Sequence, residues 1–173
     1  MPPAETCYEQ FHLGSDTFLR YQEFYGKKFD VREWTSAGSR RYPSKNGIAL
    51  SMEQALRLLW IEDKVLDTLN NTSEPISEHI GANSYIDVNQ NGSEIYRMNY
   101  CSNLGKSLKS HVRIELSNGQ TRNILAYLNY CRDHVDDFSN YESCMESHNN
   151  QISYLTCANC MPEEHRQNSE LYL

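Results

Sequence analysis

Cations and flat rings alternate through "TFLRYQEFYGKKFDVREW", which begins at Thr17. Side chains in an extended chain point alternately to opposite faces, so Leu19 and Tyr21 take one side while Arg20, Gln22 and Phe24 take the other. In the next run Phe29 and Val31 alternate with Lys28, Asp30, Arg32 and Trp34. Tyr25, Lys27, Arg40, Arg41 and Lys45 fall in the adjoining turns and loop. Arg and Lys neutralise phosphates, and unpaired bases stack on aromatic rings for about 1–3 kcal/mol per base. A duplex keeps its bases stacked internally, so this pattern suits a single strand. By composition alone it also describes an ordinary solvated sheet face with Trp34 tucked under a loop.

A second set lies in "CMESHNNQISYLTCANCMPEEH", where Cys144, His148, Cys157, Cys160 and His165 follow closely. A Cys-x2-Cys pair lets two thiolates reach one tetrahedral Zn²⁺, and Cys144 or His148 can complete the site. The same residues also read as a disordered or partly helical acidic tail, or as a disulfide. No cofactor is required by the sequence, and a structural zinc in the tail is the one candidate. A zinc deaminase is disfavoured, since no His-x-Glu accompanies a Pro-Cys-x2-Cys. The phosphate-loop, nucleophile-elbow and His-Glu-x2-His signatures are missing too, so the expectation is a protein that is not an enzyme. The Asp136-Asp137 pair reads as solvated rather than catalytic.

The elements that position these residues come from an internal repeat. "HLGSDTFLRYQEFYGKKFDVREW" from His12 lies over "HIGANSYIDVNQNGSEIYRMNYC" from His79 without a gap, and one residue is lost in the next loop. Ile48/Ile114, Leu50/Leu116, Ser51/Ser117 and Gln54/Gln120 then fall into register. "TSAGSRRYPSKNG" reads as a polar loop and "IAL" as a short last strand. Ser51 with Gln54 forms a capping box that starts a helix through about Leu69, apolar almost all round. The second helix, with Ile124, Leu125, Leu128, Cys131 and Phe138, is its expected partner. The expected class is α+β: two repeats of a curved antiparallel sheet followed by a helix, packed through the helices as a pseudo-dimer. Residues 1–70 form the first unit, 71–78 a linker, 79–138 a divergent second unit and 139–173 the acidic tail.

The 173 residues, 39% hydrophobic and 11% aromatic, allow one ordinary domain or two small ones that gain by packing together. No run approaches the roughly twenty apolar residues of a membrane span, and "MPPAETCYEQ" lacks a signal peptide's basic and apolar regions. The expected setting is intracellular, with the six cysteines reduced or metal-bound. The net charge of −7 argues against nucleic acid, but it is unevenly placed. Residues 11–50 carry seven Lys/Arg against four Asp/Glu, whereas residues 138–173 carry five Glu against one Arg. Such an acidic tail can compete for the protein's own basic face.

"FYGKKFDVREW" followed by "YPSKNGIALSMEQ" resembles the single-stranded-DNA-binding domain of the transcriptional coactivator positive cofactor four (p15) family, over about residues 11–69. The resemblance implies a four-stranded antiparallel sheet plus a helix, dimerising through helices, with DNA across the outer sheet. It makes Phe24 a base-stacking aromatic, Lys27 and Arg32 strand-borne DNA contacts, Trp34 the aromatic after Arg-Glu, and Lys45 the loop cation. Asn46 stands where the family has Lys, and Tyr25 where it has Lys before Gly-Lys. In the second unit Phe24 aligns with Asn91 and Arg-Glu-Trp with Asn99, Tyr100 and Cys101. That unit keeps Lys106, Lys109, His111 and Arg113, so it either guides a backbone or serves only as a built-in dimer partner. The function implied is single-stranded DNA binding in transcription, replication or repair, in the nucleus, beside the transcription machinery, as a monomeric pseudo-dimer or a homodimer. An adaptor that kept the fold and lost DNA binding is the alternative.

Overall fold

Alternation of apolar and polar residues sets the register of two four-stranded antiparallel sheets, each followed by helices, in the computed structural model, which describes residues 4–165. In chain order the first sheet is β1 (Thr6–Gly14), β2 (Thr17–Glu23), β3 (Lys27–Ala37) and β4 (Arg40–Leu50), followed by α1 (Met52–Trp60) and α2 (Glu62–Leu69). The second is β5 (Ile76–Gly81), β6 (Ser84–Asn89), β7 (Gly92–Cys101) and β8 (Lys106–Ser117), followed by α3 (Asn118–His134) and α4 (Asp136–Ser139). A 3-10 turn (Cys144–Ser147) and α5 (Gln151–Leu155) come last. Residues 1–3 of the expected first unit and 166–173 of the expected tail lie outside the described residues.

Leu19 faces Val31, and Val31 faces Ile48; in the second sheet Ile86, Ile95 and Ile114 make the same rung. All six are buried in one core that also takes Leu58 of α1 and Ile124 and Leu128 of α3. A one-residue slip would turn each set outward, which fixes the pairing.

Both capping boxes form, at Ser51 with Gln54 and at Ser117 with Gln120. Each glutamine does a second job across the interface. Gln54 Nε2 donates to the Gly81 carbonyl at 3.0 Å, and Gln120 Nε2 donates to the Gly14 carbonyl at 2.9 Å. The strand-to-helix junction therefore occurs twice with a reciprocal role: each cap grips the first turn of the opposite sheet.

Three expectations change. The stretch read as a polar loop is the outer part of a long β3–β4 hairpin, in which Trp34 pairs with Pro43 and Ala37 with Arg40. A bulge after Arg32 re-aims β3, and Pro43 is tolerated because β4 is an edge strand. The helix expected to run to Leu69 breaks at Ile61 (φ −101°, ψ 13°), after which Glu62 and Asp63 supply the carboxylates that favour a new helix start.

The gapless alignment fails at the β2–β3 turn. Gln22 pairs with Lys28, whereas the matching Asn89 pairs with Gly92, so residues 23–27 have only Gln90 and Asn91 as counterparts. This tight turn needs glycine: Gly92 has φ +152°, and a Cβ there would lie 2.1 Å from the Leu116 carbonyl oxygen. Arg32, opposite Phe18, is thus matched by Tyr96, opposite Tyr85. Trp34 is matched by Met98, since their N–H groups leave the ladder to bond the Asp16 and Asn83 carbonyls, both at 2.7 Å.

Candidate nucleic-acid interface

The polar face of β2 and β3, opposite the helices, forms a groove of about 580 Å³ that gathers Arg20, Phe24, Tyr25, Lys28, Arg32 and Trp34, six of the residues singled out by sequence. Arg20 lies over the Trp34 ring, 4.9 Å from its centroid, and pairs with Glu5 at 3.0 Å. Phe24 and Tyr25 stand edge to face at 4.6 Å on the turn, and Tyr25 is 67% exposed. Tyr25 takes φ +54°, a left-handed conformation uncommon outside glycine, so the turn presents its ring at a backbone cost. Lys28 makes no ion pair among the described residues.

Arg32 is more committed than its sequence position suggests. Its guanidinium donates to both carboxylate oxygens of buried Asp30, each at 3.1 Å, and to the Ser44 carbonyl at 2.8 Å. It lies flat over Gly47, where a Cβ would come within 2.7 Å of its Cζ. Asp30, two residues before Arg32 and so on the same strand face, was the signal for this pair. Two buried polar atoms in the groove have no hydrogen-bond partner among the described residues: Trp34 Nε1, a donor, and Gln22 Oε1, an acceptor. An unpaired buried polar atom costs about 1–3 kcal/mol, so both gain from a ligand that offers the complementary group.

Other expected contacts lie elsewhere. Lys27 bonds Asp137 of α4, which also accepts the Tyr21 hydroxyl at 3.3 Å; the Asp137 carboxylate is exposed to solvent, as expected, and is at the same time a tertiary anchor. Arg41 covers the Phe18 ring at 4.6 Å and pairs with Asp16 at 3.7 Å. Arg40 and Lys45 are exposed along β4. On the second sheet Lys106 is exposed, Lys109 bonds Glu94 and lies 4.2 Å from the Tyr96 centroid, and Arg113 pairs with Glu94 at 3.6 Å. Asp87 and Glu115 line the same depression, leaving three carboxylates against two cations.

The ligand atoms of Cys144, His148, Cys157 and Cys160 all lie within 4.8 Å of one another, so this cluster can hold a metal ion. The sulfur of Cys144 is 3.8 Å from that of Cys157 and 3.7 Å from that of Cys160, against about 2.05 Å in a disulfide, and all six thiols are free. Residues 139–165 are therefore neither disulfide-linked nor an unstructured tail. Beneath the cluster, buried Glu53 accepts from Arg57 Nε at 2.6 Å, the Ser143 hydroxyl at 2.8 Å, and the Cys144 N–H and Tyr141 hydroxyl, both at 2.9 Å. Burial alone would raise the Glu53 pKa, but these donors win and hold it at about 2. Burial and the neighbouring sulfurs push the Cys144 thiol up to about 12. Burial acts the same way on Cys157, yet the Cys160 and Asn159 N–H groups bring it below the ordinary thiol value. Sequence reading passed over Glu53 and Arg57; a charged i, i+4 pair inside a nearly all-apolar helix was the available signal.

Residues 11–61 match the model of a family described as Transcriptional Coactivator p15 (PC4). The match covers β2 to β4 and α1 with the last part of β1 from Phe11, stops at the α1/α2 break, and spans less than a third of the chain. No curated protein and no solved structure matches the chain. The family match supports a DNA-binding coactivator type of protein in general, and it falls on the sheet that carries the groove.

Proposed function

We propose that the protein binds single-stranded DNA across the outer face of its first sheet and acts as a non-enzymatic coactivator in transcription, or in replication and repair, in the nucleus. The observation that carries this reading is the convergence in one groove of exposed Phe24 and Tyr25, uncommitted Lys28, and the unpartnered Trp34 Nε1. Rings take bases, Lys28 and the hairpin cations take phosphates, and the indole N–H and the Gln22 amide oxygen meet polar base edges. We further propose that the two sheets with their helices are repeats, the expected units 1–70 and 79–138, with the second reaching back to Ile76 because β5 begins inside the expected linker 71–78. The chain then supplies both halves of a dimer covalently, and the second half serves packing.

The test is fluorescence anisotropy of a labelled strand of about twenty nucleotides, with the matching duplex alongside, at two salt concentrations. Salt-dependent preference for the single strand, abolished by Lys28→Glu with Arg32→Glu, is the expected result. No binding at low salt overturns the reading. It would favour an adaptor, a role that the internally paired cations of the second sheet and the net charge of −7 also suit.

A further inference from the structure

We propose that Cys144, His148, Cys157 and Cys160 bind one Zn²⁺, and that this ion latches Glu163 and Glu164 onto the second sheet. Three thiols and an imidazole are a soft, closed ligand set of the kind structural zinc takes. Tetrahedral zinc with sulfur at about 2.3 Å sets its thiolates roughly 3.8 Å apart. The two sulfur separations from Cys144, 3.8 Å and 3.7 Å, meet that spacing, and His148 Nε2 is 3.1 Å from the Cys160 sulfur. Three thiolates on a divalent ion leave a net negative charge. Arg57 Nη2 answers it, donating to Cys144 at 3.4 Å and Cys160 at 3.1 Å while Glu53 fixes the guanidinium.

The latch follows from what the Cys-x2-Cys turn touches. Arg57 Nη1 donates to the Asn159 carbonyl at 3.0 Å, and the same carbonyl accepts the Ala82 N–H at 3.3 Å. The Glu163 N–H donates to Asn83 Oδ1 at 2.7 Å, and the Ser107 N–H donates to Glu164 Oε2 at 3.3 Å. The segment thus runs from α1 to the β5–β6 turn and the start of β8. In the other half, Asn123 of α3 reaches the Leu13 carbonyl directly at 2.7 Å, and Arg41 folds onto Asp16 and Phe18. The metal-held turn replaces that single asparagine, and a carboxylate occupies the region that a cation takes in the first sheet.

Zinc in the full chain, purified under reducing conditions, is measured by plasma mass spectrometry, and the metal is then exchanged for Co²⁺. About one zinc per chain and the intense visible absorption of tetrahedral thiolate cobalt are expected, both lost in Cys157→Ser with Cys160→Ser. Since that variant can fail to fold, the latch is read on the unmodified chain by amide hydrogen exchange with and without zinc. Removing zinc speeds exchange at Ala82 and Ser107 by about tenfold and leaves residues 48–50 unchanged. Glu164→Ala keeps the metal and speeds Ser107 alone. A reduced chain that takes up neither zinc nor cobalt overturns the site. A chain that binds zinc but exchanges Ala82 and Ser107 equally in both states overturns the latch.

Discussion

Arg32 and Tyr96 occupy the same rung of the two sheets, and Trp34 is matched by Met98. The first sheet therefore offers a cation and an indole where the second offers a phenol and a thioether. Its turn holds Phe24 and Tyr25, whereas the second sheet's turn is too short to carry counterparts. Lys28 is uncommitted, while Lys109 and Arg113 both serve Glu94. Backbone and strand order are shared, so the difference lies in side-chain identity, turn length and charge balance. One sheet can keep a fold for packing while the other uses it for binding. The helices differ in the same sense: α1 carries Glu53 and Arg57 where α3 carries Gly119 and Asn123.

The largest contrast expected is between those helix positions. Glu53→Ala strips Arg57 and three other donors of their buried acceptor and should cost about 3–5 kcal/mol by calorimetry. Gly119→Ala has open space around the new Cβ and should gain up to about 1 kcal/mol. Similar small shifts from both would break the comparison.

Acid should expose the same asymmetry. Glu53 sits at about 2 when folded against an ordinary 4.5, so its stabilisation is present above pH 4.5 and is lost as pH falls toward 2. The loss amounts to about 3 kcal/mol. His79 is held near 4 by burial first and by Arg57 and His165 next, so the unfolded chain takes its proton earlier and stability already declines from pH 6.5 downward. Urea titrations across this range check both, and Glu53→Gln should remove the lower part of the decline.

On the outer faces, Trp34→Ala should weaken single-strand binding by about 1–3 kcal/mol, and Met98→Ala should leave it unchanged. The smallest effect is on salt dependence. Lys28→Ala should reduce the slope of log K against log salt by about 0.7, and Lys109→Ala should not alter it.

Much of this was legible in the residues. The two capping boxes, the alternating inner faces and the groove set are short-range patterns, and each appears at the expected positions. What escaped were consequences of tertiary geometry. The cross-sheet bonds of Gln54 and Gln120 use side-chain groups left over after capping, and no local pattern records their target. The shortened β6–β7 turn was hidden because the gapless alignment sets Gly92 one residue from the position of Gly26, although it serves a tighter bend. Lys27 was placed among DNA contacts by motif, but α4 brings Asp137 to it from 110 residues away.

The central claim is that one face binds the strand and the other does not. Ultraviolet crosslinking of the full chain to a single strand of about twenty nucleotides, with the linked peptides mapped by mass spectrometry, tests it most directly. The account predicts crosslinks at Phe24, Tyr25 and Trp34 and none at Tyr85 or Tyr96. Crosslinks at Tyr85 and Tyr96 equal to those on the first sheet, or confined to them, would contradict it.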